Sequence, residues 1–184
     1  MSSKRLGPLS DAAIVALGRL VDDAQTTRRD PSHSAIGSQI QRAGLSAGDP
    51  NAQLQRVGKE KRLRQTLSWA LEHDVQGGEQ LVASMIAEIR AVGGFRSSSP
   101  NYVGFDAIQD AVDVFRVEGY ELTLDGELRP LVLDGLSGTA LTEALEVYVR
   151  RAKRGAADAA LLTGTSKDLL EATAAHVVRS RVFR

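Results

Sequence analysis

Three histidines, an absence of cysteine and one dense run of basic residues are the raw material for chemistry in this chain. His33 falls in a loop-like stretch, His73 at the end of a helical pattern, and His176 inside the last one. No His-Glu-x-x-His or comparable spacing brings two of them to one helix face, so no metal site is expected. His73 is better placed to meet the free carbonyls of its own helix end. Without cysteine there is no disulfide framework, thiolate zinc site, iron–sulfur cluster or cysteine nucleophile. Gly164-Thr-Ser-Lys167 lacks the Gly-x4-Gly-Lys-Ser/Thr spacing of a phosphate loop, and Thr165-Ser-Lys-Asp168 reads instead as a capping box. A Gly-x-Ser-x-Gly nucleophile elbow is also missing. No cofactor is expected, and catalysis of the chain's own is not.

The strongest local feature is Arg56-Val-Gly-Lys-Glu-Lys-Arg-Leu-Arg64, in which Arg56, Lys59, Lys61, Arg62 and Arg64 stand against one acid, Glu60. On a helix Lys61 and Arg64 are neighbours while Leu63 and Leu67 point inward. Such a face grips phosphates through charge-assisted contacts, or else is simply a solvated helix face. A second run, Arg150-Arg-Ala-Lys-Arg154, closes a helical pattern, where cations help the helix in any case.

These residues need elements to hold them. Ser10 and Asp11 offer N-cap chemistry to a helix running to about residue 25, with Ile14, Leu17, Leu20 and Val21 on one face. A second helix is expected over 34–43, stopped by Gly44. A third should run from about 52 to 72, broken by Gly77-Gly. The next, over 79–92, has the cleanest stripe: Leu81, Val82, Met85, Ile86, Ile89 and Val92. After the Ser97-Ser-Ser-Pro-Asn loop comes a helix over 106–117. Tyr120, Leu122 and Leu124 then alternate with polar residues, and Asp125-Gly126 supplies a hairpin turn. Pro130 places the second strand at an edge or near its end. Further helices are expected over 139–153, 156–162 and from 165 through Val177. The helix and hairpin at 106–132 have the outline of a winged-helix fragment, but seven acidic side chains there do not suit DNA phosphates.

The fold class is therefore mainly α, with two helical subdomains and one small β-hairpin near residues 119–133. The division is expected as an N-terminal helical domain over 1–98 and a helix–hairpin–helix region over 99–184. A hydrophobic fraction of 42% supplies a core, and aromatics at 4% leave that core to Ala, Leu, Val and Ile. Lys+Arg and Asp+Glu balance at 23 each, so any nucleic-acid surface is a local patch. The N-terminus has no apolar signal core and no 18-residue apolar run occurs, which points to a cytoplasmic protein without a membrane partner.

Two stretches carry a resemblance. Glu118-Gly-Tyr-Glu-Leu-Thr-Leu-Asp-Gly-Glu-Leu-Arg-Pro130 and Leu161-Leu-Thr-Gly-Thr-Ser-Lys-Asp-Leu-Leu-Glu-Ala-Thr-Ala-Ala-His176 resemble bacterial abortive-infection proteins. More narrowly, residues 105–176 look like the region entering that family's C-terminal domain. The resemblance implies a phage-defence protein that acts by binding RNA, DNA or a protein partner. Its alternatives are an RNA-cleaving toxin of a defence or toxin–antitoxin system, and a DNA-binding regulator using the 56–64 patch. For the toxin, Glu171, His176 and Arg179 would form the site. Helical RNases of this kind place an Arg a turn or so before the His, where this chain has Glu171. The chain ends at Arg184, about two turns past His176, which implies a shortened C-terminal domain. Leu169, Leu170, Val177 and Val178 then have little chain to cover them, so a homodimer or partner contact is expected through residues 166–184.

Overall fold

The computed structural model describes residues 7–24 and 30–131, together with Thr142, Leu145 and Val149 as helical positions. It is mainly helical, with five α-helices and one two-stranded antiparallel hairpin among the described residues. The chain forms two compact units, one of Lys4–Pro130 and one of Leu131–Arg184 with Met1–Ser3. The elements below belong to the first. The expected helices beyond 139, the second basic run, the site residues Glu171, His176 and Arg179, and the contact stretch 166–184 lie outside the described residues, apart from those three helical positions.

Helix α1 (Asp11–Val21) starts at Ser10, whose hydroxyl accepts from the Ala13 amide at 3.2 Å. It stops at Val21, four residues earlier than its periodicity suggests. Asp22 leaves the helix with extended backbone and its carboxylate accepts from the Ala24 amide at 3.0 Å, so a local side-chain bond replaces the next helical turn. Helix α2 (His33–Arg42) is capped by Ser32 and closed at Gly44, where φ is +77° and the Leu45 amide reaches back to the Ile40 carbonyl.

A single 3-10 turn, Ser46–Gly48, leads to helix α3 (Lys59–His73). The expected start near residue 52 is corrected here: residues 50–54 make one isolated turn and 55–58 are irregular. Helix α4 (Val75–Ala91) contains Gly77 and Gly78 instead of being preceded by them. The break falls at Asp74, which ends α3 and caps α4 by accepting from the Gly77 amide at 2.9 Å. The glycines serve close approach. A Cβ on Gly78 would sit 2.5 Å from Leu9 and 3.1 Å from Ala70, so the first turn of α4 lies directly on the end of α3.

Helix α5 (Phe105–Val117) packs against α1, and strand β1 (Tyr120–Leu122) packs against α5. Strand β2 (Leu128–Pro130) pairs with β1 in the register Tyr120↔Pro130, Glu121↔Arg129, Leu122↔Leu128. The turn closes at Gly126, with φ +84° and its Cα against the Phe95 ring, where a Cβ would clash. One buried core runs through all of this, from Leu17 and Leu20 of α1 through Leu63, Leu67, Met85 and Ile86 to Phe115 and Tyr120. Accordingly the loop at 97–101 does not separate two compact units. The subdomain boundary expected between 98 and 99 differs from the observed division at Pro130, because α5 buries Ile108, Ala111 and Phe115 in the same core as α1.

Candidate binding surface at the start of α3

The basic run divides into two kinds of residue. Lys59 and Arg62 are buried, and each meets a carboxylate. Lys59 Nζ lies 2.6 Å from the Asp23 carboxylate, just past the end of α1. A cation in the first helical turn opposes the helix dipole, and the Asp23 carboxylate offsets it. Arg62 makes a two-point contact with Asp49, Nε to Oδ1 at 2.9 Å and Nη2 to Oδ2 at 2.6 Å, with both side chains only 7% exposed. Its remaining nitrogen, Nη1, donates to the His33 carbonyl oxygen at 2.6 Å. One guanidinium thereby ties α3 to the start of α2 and to the loop after the 3-10 turn.

The electrostatics follow from that packing. Burial alone would push the Asp49 carboxyl up. The hydrogen bonds from Arg62 and the Asn51 amide, with the Arg62 charge, outweigh it and hold the pKa below the ordinary range. His33 is shifted down, first by partial desolvation of its ring and then by the cations Arg62 and Lys59.

Arg56, Lys61 and Arg64 remain exposed. Arg64 pairs with Glu60 one turn earlier at 3.2 Å, in the open. Between the buried Asp49 and these cations runs the loop that carries Leu54. The Leu54 amide donates to Asn51 O at 3.2 Å and the Gln55 amide to Pro50 O at 2.9 Å. This pair of bonds closes a helical turn in the manner of a Schellman motif, with Leu54 at the position glycine usually takes. Leu54 accordingly has φ +63°, the one non-glycine residue with positive φ among the described residues, and its side chain is 93% exposed. Left-handed backbone costs a leucine about 1 kcal/mol or more. The loop is nevertheless well tied: Asn51 N–H donates to Asp49 Oδ1 at 3.0 Å and the Gln53 side chain to the Ala47 carbonyl at 3.0 Å.

At the other end of α3, His73 stacks on Trp69 with centroids 4.6 Å apart and planes 3° from parallel. His73 Nδ1 lies 2.9 Å from the Trp69 carbonyl, as a histidine at a helix end should. Among the described residues no group of three His, Asp or Glu side chains is arranged to hold a metal, and no helix is long and apolar enough to cross a membrane.

Thus two of the five basic residues hold the surface in place and three are presented by it. The sequence reading missed Asp23, Asp49 and Leu54. A signal for the buried pair was present: stepping back along the α3 stripe from Ala70, Leu67 and Leu63 lands on Lys59, and stepping back four from buried Thr66 lands on Arg62. Charged residues on an inward stripe call for buried carboxylates elsewhere. No protein-family model, curated protein or solved structure matches the chain in comparison.

Proposed function

We propose that this chain is a binding component of an abortive-infection-like phage-defence system, acting through contact with nucleic acid and not by catalysis of its own. The observation that supports the binding surface is the division of the basic run. Lys59 and Arg62 are consumed by Asp23 and Asp49, which fixes the framework, while Arg56, Lys61 and Arg64 face solvent. The defence role rests on the resemblance at 118–130 and 161–176.

Three cations reach few phosphates and no base edges, so binding is sequence-independent, weak and only moderately salt-dependent. Each phosphate contact steepens the dependence of log K on log salt by roughly 0.7–0.9. Titrating labelled single-stranded RNA and duplex DNA at several salt concentrations measures this. Lys61→Glu with Arg64→Glu should abolish binding while the helical circular-dichroism signal stays unchanged. Binding that persists in the double variant, or none by the parent protein, overturns the reading. RNA cleavage that disappears in a His176→Ala variant would favour the toxin alternative instead.

A further inference from the structure

Leu54 breaks a local rule with no local gain. A glycine would make the same loop without strain, and the leucine side chain touches almost nothing of its own chain. A solvent-facing apolar knob two residues before the exposed Arg56 has the form of an interface anchor. The same folded unit carries a receptor of opposite character. Between α4 and the hairpin lies an open groove of about 550 Å³ with an apolar floor of Ala83, Ile86, Ala87 and Leu128. Its rim is polar: Glu127 and Arg90 line it, and Arg90 pairs with Asp125 at 3.0 Å. The segment behind that rim, residues 105–130, has seven acidic and two basic residues. Residues 51–65 present three exposed cations, Arg56, Lys61 and Arg64, against the one acid Glu60.

We propose that the occupant of this groove is a second copy of the chain, its Leu54 seated on the Ala83–Ala87 floor and its Arg56 and Lys61 against the carboxylates of Asp125 and Glu127. Each of those carboxylates already meets one arginine, Arg90 and Arg129 respectively, and an ionised carboxylate has acceptor sites to spare. Knob and groove are different patches, so the contact either closes a two-fold dimer, each copy's Leu54 entering the other's groove, or runs head-to-tail into rings or short filaments. The inference stands apart from the nucleic-acid reading, because it is tested without nucleic acid, although both uses draw on Arg56 and Lys61 and would compete.

Sedimentation velocity of the full chain over a range of concentrations and salt tests the proposal. The parent should associate with rising concentration, and salt should weaken it. Leu54→Asp and Ala87→Glu should each weaken association by more than about tenfold. Leu54→Gly should also abolish it, while the melting temperature is unchanged or higher because glycine accepts the positive φ. That combination is not produced if Leu54 is merely structural. The deciding arm mixes Leu54→Asp, which keeps its groove, with Ala87→Glu, which keeps its knob. The intact knob of one variant in the intact groove of the other gives a one-to-one complex that grows no further, and a contact made elsewhere gives no such rescue. A parent that stays monomeric overturns the proposal. So does association indifferent to Leu54→Asp, which would place the contact elsewhere, for instance in residues 166–184.

Discussion

Two groups of ion pairs in this protein use the same side chains to opposite ends. At the start of α3, Arg62–Asp49 and Lys59–Asp23 have their cations sealed from water and join segments far apart in sequence. At the hairpin, Arg90–Asp125 and Arg129–Glu127 lie in the open, with exposures of 47% and 67% for the first pair. A buried charge has lost its water and depends on its partner, whereas an exposed charge that loses its partner regains water. The distances are similar, 2.6 Å in one group against 3.0 and 2.5 Å in the other. Surroundings, not geometry, set the consequence of breaking each.

The largest expected effect follows directly. Arg62→Ala leaves the Asp49 carboxylate buried without its counter-charge and the His33 carbonyl without its donor, and should destabilise the fold by about 3–5 kcal/mol in urea unfolding. Replacing both partners, Arg62→Met with Asp49→Leu, should recover part of that loss, since neither charge is then stranded. If the single and double variants lose the same stability, the dependence is on shape and the contrast between the two groups fails.

How much of this was legible in the sequence differs along the chain. Where apolar residues repeat cleanly, as Leu81, Val82, Met85, Ile86 and Ile89 do in α4, the helix was evident. The hairpin was legible too, although its turn centres on Leu124 and Asp125, with the Gly126 amide donating to the Thr123 carbonyl. Leu124 thus lies exposed in the turn and not in the strand. Boundaries were less legible, because they depend on single caps. Asp74 reads as an ordinary helical residue until its carboxylate is seen on the Gly77 amide, and Gly77-Gly78 reads as a stop until Leu9 and Ala70 are seen against it. The site was half legible. Five clustered cations are obvious, but Asp49 lies 13 residues from Arg62, and nothing local says that the two meet. Leu54 was hidden for a related reason: a leucine among helix-forming neighbours gives no warning of a positive φ.

A smaller effect comes from pH. Folding lowers the pKa of both His33 and Asp49, so each binds a proton less readily in the folded than in the unfolded chain. Both stabilising contributions are then complete above the unfolded values, about 6.5 for His and about 3.9 for Asp, and are lost as pH falls through the lowered folded values. Stability should decline gently from pH 7 to 5 through His33, whose added proton would face Arg62 and Lys59, and more steeply below pH 4 through Asp49. His33→Gln should flatten the first decline and leave the second. A decline unchanged by that substitution would show that neither the burial of the His33 ring nor the cations near it govern the pH dependence.

The smallest effect belongs to the hairpin pair, and it is the sharper half of the contrast. Asp125 is held below the ordinary carboxylate range, first by the Thr123 hydroxyl and then by the charge and hydrogen bond of Arg90. Thr123 sits two residues away in the same turn, so removing Arg90 leaves the main local partner in place. Arg90 in turn belongs to the exposed side of α4, where its guanidinium keeps its contacts with water whether or not Asp125 is present. Arg90→Ala and Asp125→Ala should therefore shift the melting temperature by about a degree at most, with the double variant equal to the sum of the singles. These melts are to be run dilute, since Arg90 also lines the groove proposed to receive Leu54. A loss from Arg90→Ala approaching that of Arg62→Ala would mean that water does not replace the lost partner at the hairpin, and that exposure does not separate the two groups of pairs.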